Sequence, residues 1–316
     1  MWRQRLRLRL GWVGIGLMVA TSVALSANRS KQELLDARAQ VLARLEVVPF
    51  SRLPDVMEKK WDGRGKMTGT RQLEFLDLRV GILRPEHGAE GPPRPAVVFF
   101  HGGGFHSGNP DQFFVQADLY ADRGAVAFCA EYRLKNNVEV TIAEQVEDAR
   151  AAIRWVRQNA GAFNVDPDQI VAVGGSAGGY LALASAILPG GRPGAVPNAV
   201  VLYNPAIDFD HFANGMGRQN MELSLGGKIE AYSITPNLRK DGPPVILFHG
   251  EHDEKIPLRI ARRFADRAQE LGLSCELVIM PGEGHGFHNR DPYIDSCVNQ
   301  SVRFLREHGI ALAGEN

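Results

Sequence analysis

The chain has 316 residues, carries 36 basic and 36 acidic side chains, and is 44% hydrophobic. That length and apolar content can bury a sizeable core and suit one large soluble α/β domain. Balanced charge argues against nucleic acid or another polyanion as the main partner.

The stretch 1–27 differs from the rest. MWRQRLRLRL carries four arginines and no acid, LGWVGIGLMVATSVAL is apolar and uncharged, and ALSA offers small residues for cleavage. This layout is that of a secretory signal peptide ending near Ser26 or Ala27. The apolar run is short of the ~20 residues a membrane span needs. A secreted or periplasmic protein is expected, with no stable membrane insertion once the leader is removed; an uncleaved anchor is the alternative. Residues 28–64 read as a charged, helical lead-in to a catalytic domain over 65–316.

QLEFLDLRVGILRP alternates well enough for one or two early strands. RPAVVFFHGGG (94–104) is a continuous apolar run ending in glycines, as a strand buried on both faces should be. AVAFCAEYRL is a second such run. In TIAEQVEDARAAIRWVRQ the apolar Ile142, Val146, Ala149, Ile153 and Val156 recur at helical steps. QIVAVGG, AVVLYNPAI, PVILFHGEHD and CELVIMPG are further strands. IPLRIARRFADRAQELG is an amphipathic helix with Ile260, Phe264, Ala268 and Leu271 on one face, and 291–308 is a closing helix. Buried strands alternating with amphipathic helices predict a mostly parallel sheet covered on both sides. Residues 209–243 exceed a normal connection and predict a small lid-like insertion.

Three cysteines, Cys129, Cys275 and Cys297, do not make a disulfide framework. Cys129 sits in an apolar run and is expected to be a buried thiol. Cys275 and Cys297 are free to form one bridge in an oxidising compartment. No His/Cys spacing suggests zinc, and no cofactor is implied.

The chemistry centres on Gly174-Gly175-Ser176-Ala177-Gly178, between a predicted strand and a predicted helix. This is the context of a nucleophile elbow. Glycines two positions either side let the backbone turn sharply and lift the serine hydroxyl above the sheet, at the positive end of the helix. Serine needs a base, and the base needs an orienting acid. In this architecture they follow in the order serine, acid, histidine. His285, in GEGHGF just past a strand, is the candidate base. His249 reads as structural, and His288 and His308 as solvent-facing. Asp253, one strand before His285, is the preferred acid; a cap for the helix starting near Ile256 is its other reading, and one carboxylate can serve both. Asp208 is the rival, and Glu283 lies too close to His285. His101-Gly102-Gly103-Gly104-Phe105 follows the first buried strand and, with the Ala177 N–H, can present amides to an oxyanion. His101 itself is expected to anchor that loop. Phe105 and Tyr180 either wall the site or belong to the core.

HGGGF (101–105), EYRL (131–134), GGSAGG (174–179), HGEHD (249–253) and GEGHGF (282–287) together resemble the bacterial esterase and lipase branch of the α/β-hydrolase fold. The similarity is to the hormone-sensitive-lipase-like carboxylesterases and the related small acyl (acetyl) esterases, over about residues 65 to 308. It implies Ser176 as nucleophile, His285 as general base and acid, Asp253 as orienting acid, and Gly103, Gly104 and Ala177 as oxyanion donors. Two departures point to the small acyl esterases: a short lead-in in place of a helical cap, and no aspartate before the serine. The expected partner is a small-molecule or carbohydrate ester. A serine peptidase of the prolyl-oligopeptidase type and a non-catalytic binding module are the competing functions.

Overall fold

The computed structural model describes residues 31–62, 65–86 and 91–313, so the predicted leader lies outside the described residues. Eight strands form one sheet: β1 (Glu46–Trp61), β2 (Met67–Leu83), β3 (Arg94–Phe100), β4 (Val126–Ala130), β5 (Val165–Gly175), β6 (Ala199–Tyr203), β7 (Val245–Gly250) and β8 (Cys275–Met280). Their order is β1-β2-β4-β3-β5-β6-β7-β8. The pairs β1·β2 and β2·β4 are antiparallel, and β3 to β8 run parallel.

The main helices are α1 (Lys31–Arg44), α2 (Phe114–Asp122), α3 (Ile142–Gln158), α4 (Ala177–Ile187), α5 (Leu258–Glu270) and α6 (Tyr293–Glu307). Successive strand residues point to opposite faces, so one run of apolar residues fills two cores. Val98 and Phe100 join the core that holds α3, α4 and α5. Val97 and Phe99 join the core that holds α2 and α6. The helical stripe of α3 is buried as its spacing predicts, and a capping box of Thr141 and Glu144 fixes where that helix starts.

One expectation needs correction here. The helical lead-in ends at Arg44, and residues 46–61 are instead a strand that pairs with β2 along its length. Pro49 and Pro54 break a helix interior but are tolerated on an edge strand, which β1 is. The expected boundary near residue 64 therefore falls inside a hairpin of the same sheet.

The sequence leaves open whether Cys275 and Cys297 are bridged; in the structure they are not, and all three cysteines are free thiols. Cys275 packs against the core on one face of the sheet and Cys297 is buried in the core on the other. The sheet separates them. Burial pushes both thiols up to about 12 and raises Cys129 further, which favours the protonated form of all three.

Residues 209–243 fold as short helices, Asp210–Met216, Arg218–Leu225, Ile229–Tyr232 and Ile234–Asn237. Phe209, Met221, Leu225, Ile229 and Ile234 bury into the core that holds α4. Asp208 staples the segment down, accepting from Thr235 N at 3.0 Å, Thr235 Oγ1 at 2.6 Å and Arg263 Nη2 at 2.7 Å.

Candidate active site

The parallel strands bring four loops to one edge of the sheet, at their carboxyl ends, where open α/β sheets assemble sites. The glycine loop follows β3, the serine follows β5, Asp253 follows β7 and His285 follows β8. Phe100 is in register with Gly174, so the glycine loop starts beside the serine corner.

Ser176 has φ 55° and ψ −118°. An L-residue rarely adopts that conformation. Its neighbours force it. Ser176 N donates to Tyr203 O at 2.8 Å, and Ser176 O accepts from Tyr180 N at 3.1 Å and Ala206 N at 3.2 Å. The flanking glycines are required by space. A Cβ on Gly174 would lie 2.2 Å from Gly178 O, and one on Gly178 would lie 2.0 Å from Phe100 O.

His285 bridges the serine and the aspartate. Its Nε2 is 3.0 Å from Ser176 Oγ and its Nδ1 is 2.7 Å from Asp253 Oδ2. The imidazole is partly exposed while the carboxylate is fully buried, so one end of the line is open to solvent and the other is shielded from it. Asp253 Oδ1 accepts from Lys255 N and Ile256 N, both at 2.9 Å. The expected cap is therefore a turn just ahead of α5, and the carboxylate serves both purposes. Burial works to raise the Asp253 pKa. Hydrogen bonds from His285 and Ile256, with the nearby imidazoles, outweigh burial and hold it below the ordinary carboxylate range.

Asp208, the rival acid, is buried but is consumed by Thr235 and Arg263 and makes no bond to His285. Glu283 turns away, accepting from Tyr293 Oη at 2.6 Å and pairing with Arg290. His249 is fully buried and donates from Nε2 to Ile256 O at 2.7 Å, a structural role as expected.

His288 corrects the expectation of a solvent-facing side chain. It is 3% exposed and stacks on Tyr203 at 4.7 Å and Phe113 at 5.9 Å. Burial, reinforced by the neighbouring His285, lowers its pKa to about 3, so the ring is neutral. His308 is half-buried against Phe304 and Ser274 instead of fully exposed.

The glycine loop presents its amides by peptide geometry. In a trans peptide the N–H points opposite to the preceding C=O. Gly102 O lies 2.7 Å from His101 Nδ1, and Gly103 O accepts from His106 N and Ser107 N, both at 3.1 Å. The N–H groups of Gly103 and Gly104 therefore point away from those turns, and neither has a protein acceptor among the described residues. Ala177 opens α4, where the first N–H groups of a helix have no intrahelical partner. Gly102 N is used up by Gln112 Oε1 at 2.6 Å. His101 is buried, stacks on Tyr132 at 4.4 Å and anchors the loop as expected, the Tyr132 hydroxyl donating to His101 O at 2.9 Å. Phe105 and Tyr180 are both core residues, packed edge-on at 5.7 Å with Phe209 beside them.

Gln112 escapes a reading of the sequence, because a glutamine in a loop after a glycine motif carries no pattern. Asn204, whose Oδ1 accepts from Gly250 N at 2.9 Å, leaves a clue in the Asn-Pro pair that follows β6.

The BD-FAE family matches residues 81–267, more than half of the chain, and a TAP-like protein family matches residues 228–310. The isoprenylcysteine alpha-carbonyl methylesterase ICME of Arabidopsis thaliana is 30% identical over 216 residues, 61% of this chain and 50% of that protein. Esterase LipC of Mycobacterium tuberculosis is 26% identical over 62% of this chain and 53% of its own length. The chain thus spans about half the length of the curated relatives it matches. Among solved structures, esterase Est2 of Thermogutta terrifontis with bound butyrate is 36% identical with a TM-score of 0.70, covering 76% of this chain and 92% of that one. These likenesses, with the mostly parallel sheet and the strand–serine–helix corner, show that the chain belongs to the BD-FAE family and is an α/β-hydrolase of the bacterial carboxylesterase type.

Proposed function

We propose that this protein is a secreted serine carboxylesterase that hydrolyses short-chain acyl esters through Ser176, His285 and Asp253. The observation that carries the reading is the unbroken line from Ser176 Oγ through both nitrogens of His285 to the buried Asp253 carboxylate. In this mechanism His285 Nε2 takes the hydroxyl proton as Ser176 Oγ bonds to the ester carbonyl carbon. The carbonyl oxygen becomes an oxyanion facing the amides of Gly103, Gly104 and Ala177. Collapse expels the alcohol, protonated by His285, and leaves an acyl-serine. Water then attacks with the same base and regenerates the serine. Asp253 keeps His285 in the tautomer with hydrogen on Nδ1 and stabilises the imidazolium.

A small acyl group is supported by the aromatic block of Phe105, Tyr180 and Phe209 packed directly behind the glycine loop, where these rings occupy space that a long acyl chain would need. The similar esterase Est2 has been solved with butyrate and with propionate bound, and after phosphoramylation by tabun. The polar insertion over 209–243 favours an alcohol portion that is polar or sugar-like, including acetylated carbohydrate. Export rests on the leader at residues 1–27. N-terminal sequencing of exported material should find a start near Ala27 or Asn28, and an intact Met1 would favour an anchored form.

Treatment with an organophosphonate and mapping of the adduct should label Ser176 alone, and Ser176→Ala should lose ester hydrolysis. Comparing kcat/KM for acyl chains of different length should give a maximum between acetyl and butyryl. A maximum at octanoyl or longer would remove the short-chain reading. Absence of acetyl release from acetylated xylan oligomers would remove only the carbohydrate part.

A further inference from the structure

The bonds within the glycine loop hold the carbonyls of Gly102 and Gly103 but none of them reaches the Phe105 end. Gly103 and Gly104 have φ values of 127° and 62°. Glycine moves freely among such conformations. If Gly103 and Gly104 are to receive an oxyanion, something outside the loop must fix them. Phe105, which closes the loop, is itself held at φ 68°. A bulky residue does not rest there unassisted. Its ring is wedged against Tyr180 and Phe209. Its carbonyl accepts two hydrogen bonds, from Lys135 N at 3.1 Å and from Gln145 Nε2 at 2.8 Å.

Gln145 is an unusual choice for its place. It lies on the buried side of α3 and is 0% exposed. Its Nε2 donates also to Arg133 O at 2.6 Å, while its Oε1 is buried with no partner among the described residues. A leucine would fill the space without the cost of burying an amide. The retained amide joins two carbonyls from separate loops: Phe105 after β3 and Arg133 after β4. Arg133 is fixed in turn by the buried carboxylate of Asp148, which accepts from its Nε, Nη2 and backbone N.

We propose that Gln145 is a positioning residue that holds the oxyanion loop in its working conformation through the Phe105 carbonyl. This rests on the esterase reading above. The interaction matters most when the oxyanion forms, because a loop free to rotate its glycine peptides can still admit substrate but no longer aims its amides.

The test compares wild type with Gln145→Leu and Gln145→Glu. For Gln145→Leu, kcat on p-nitrophenyl butyrate should fall on the order of 10–100-fold, somewhat less than loss of a whole oxyanion donor, with KM changed less than about threefold. A trifluoromethyl ketone, whose hemiketal oxygen mimics the oxyanion, should weaken as inhibitor by the same factor as kcat/KM. Near-normal kcat, or a fall in kcat with unchanged inhibition by the ketone, overturns the proposal. Gln145→Glu keeps the shape and serves if the leucine variant does not fold. An ionised carboxylate cannot donate, whereas the protonated acid regains one donor. Its activity relative to wild type should therefore be low wherever infrared absorption shows the carboxyl ionised and recover where it is protonated; full activity with the carboxyl ionised overturns the proposal. Wild-type protein that hydrolyses no ester sinks the esterase reading and this role with it.

Discussion

Asp253 and Asp208 both sit at carboxyl ends of strands, and both are almost fully buried. From the sequence they compete for one role. What separates them is the partner each oxygen meets: His285 for Asp253, Thr235 and Arg263 for Asp208. Asp253→Asn should leave the geometry nearly intact but favour the wrong tautomer of His285, lowering kcat by ~10⁴-fold as in comparable triads. Asp208→Asn should change kcat little and lower stability by about 1–3 kcal/mol through weakened bonds to the insertion. Steady-state kinetics and denaturant unfolding on the two variants check the pair, and a reversed ranking means the acid is misassigned. Ser176, His285 and Asp253 are legible in the sequence because short motifs fix them locally. His288 is not. The residues that follow it, Asn289 and Arg290, are polar, and its burial comes from Phe113 and Tyr203, which approach from distant parts of the chain.

At the scale of elements, the legible parts are those with strong local signals. Apolar, β-branched runs mark β3 to β8, and three-and-four spacing marks α3 and α5. The β1·β2 hairpin is hidden because charged residues punctuate β1, and half-exposed ribbons carry a weak alternation. Its pairing depends on β2, and only the two prolines hint at it. The elbow is the element most constrained by space. A methyl on Gly178 would need to pass within 2.0 Å of the Phe100 carbonyl, which is backbone and cannot yield cheaply. Gly178→Ala should therefore destabilise by about 3 kcal/mol or more, or prevent folding. Gly161→Ala, at a short helix with nothing within 4 Å of the added Cβ, should be neutral or stabilising by about 0.4–1 kcal/mol. Thermal unfolding of both variants tests whether the corner, and not glycine content in general, sets the requirement.

For the whole molecule, the burial that builds the site also sets its response to acid. His101 opens the glycine loop and His288 lies against the elbow at Gly175, each packed on aromatic rings. Burial, only partly offset by the bond to Gly102 O, lowers the His101 pKa to about 4, and burial lowers that of His288 to about 3. In the unfolded chain both rings titrate near 6.5. Below that pH the unfolded state takes up protons that the folded state refuses, so stability falls as pH drops from about 6.5 toward the folded values. The difference is on the order of 3–5 kcal/mol for each ring once fully expressed. Asp253 acts in the same direction at lower pH, since its depressed pKa gives stability above the unfolded carboxylate value that is lost on protonation. Unfolding free energy measured from pH 7 to pH 4 should therefore decline steeply, driven by histidines that perform no proton transfer. His288→Phe keeps an aromatic ring between Tyr203 and Phe113 and removes the titrating group, so the slope of stability against pH between 6.5 and 4 should become shallower than in wild type. An unchanged slope would mean that His288 is protonated in the folded protein, and that the rings around it enclose water and counter-charge instead of a neutral imidazole.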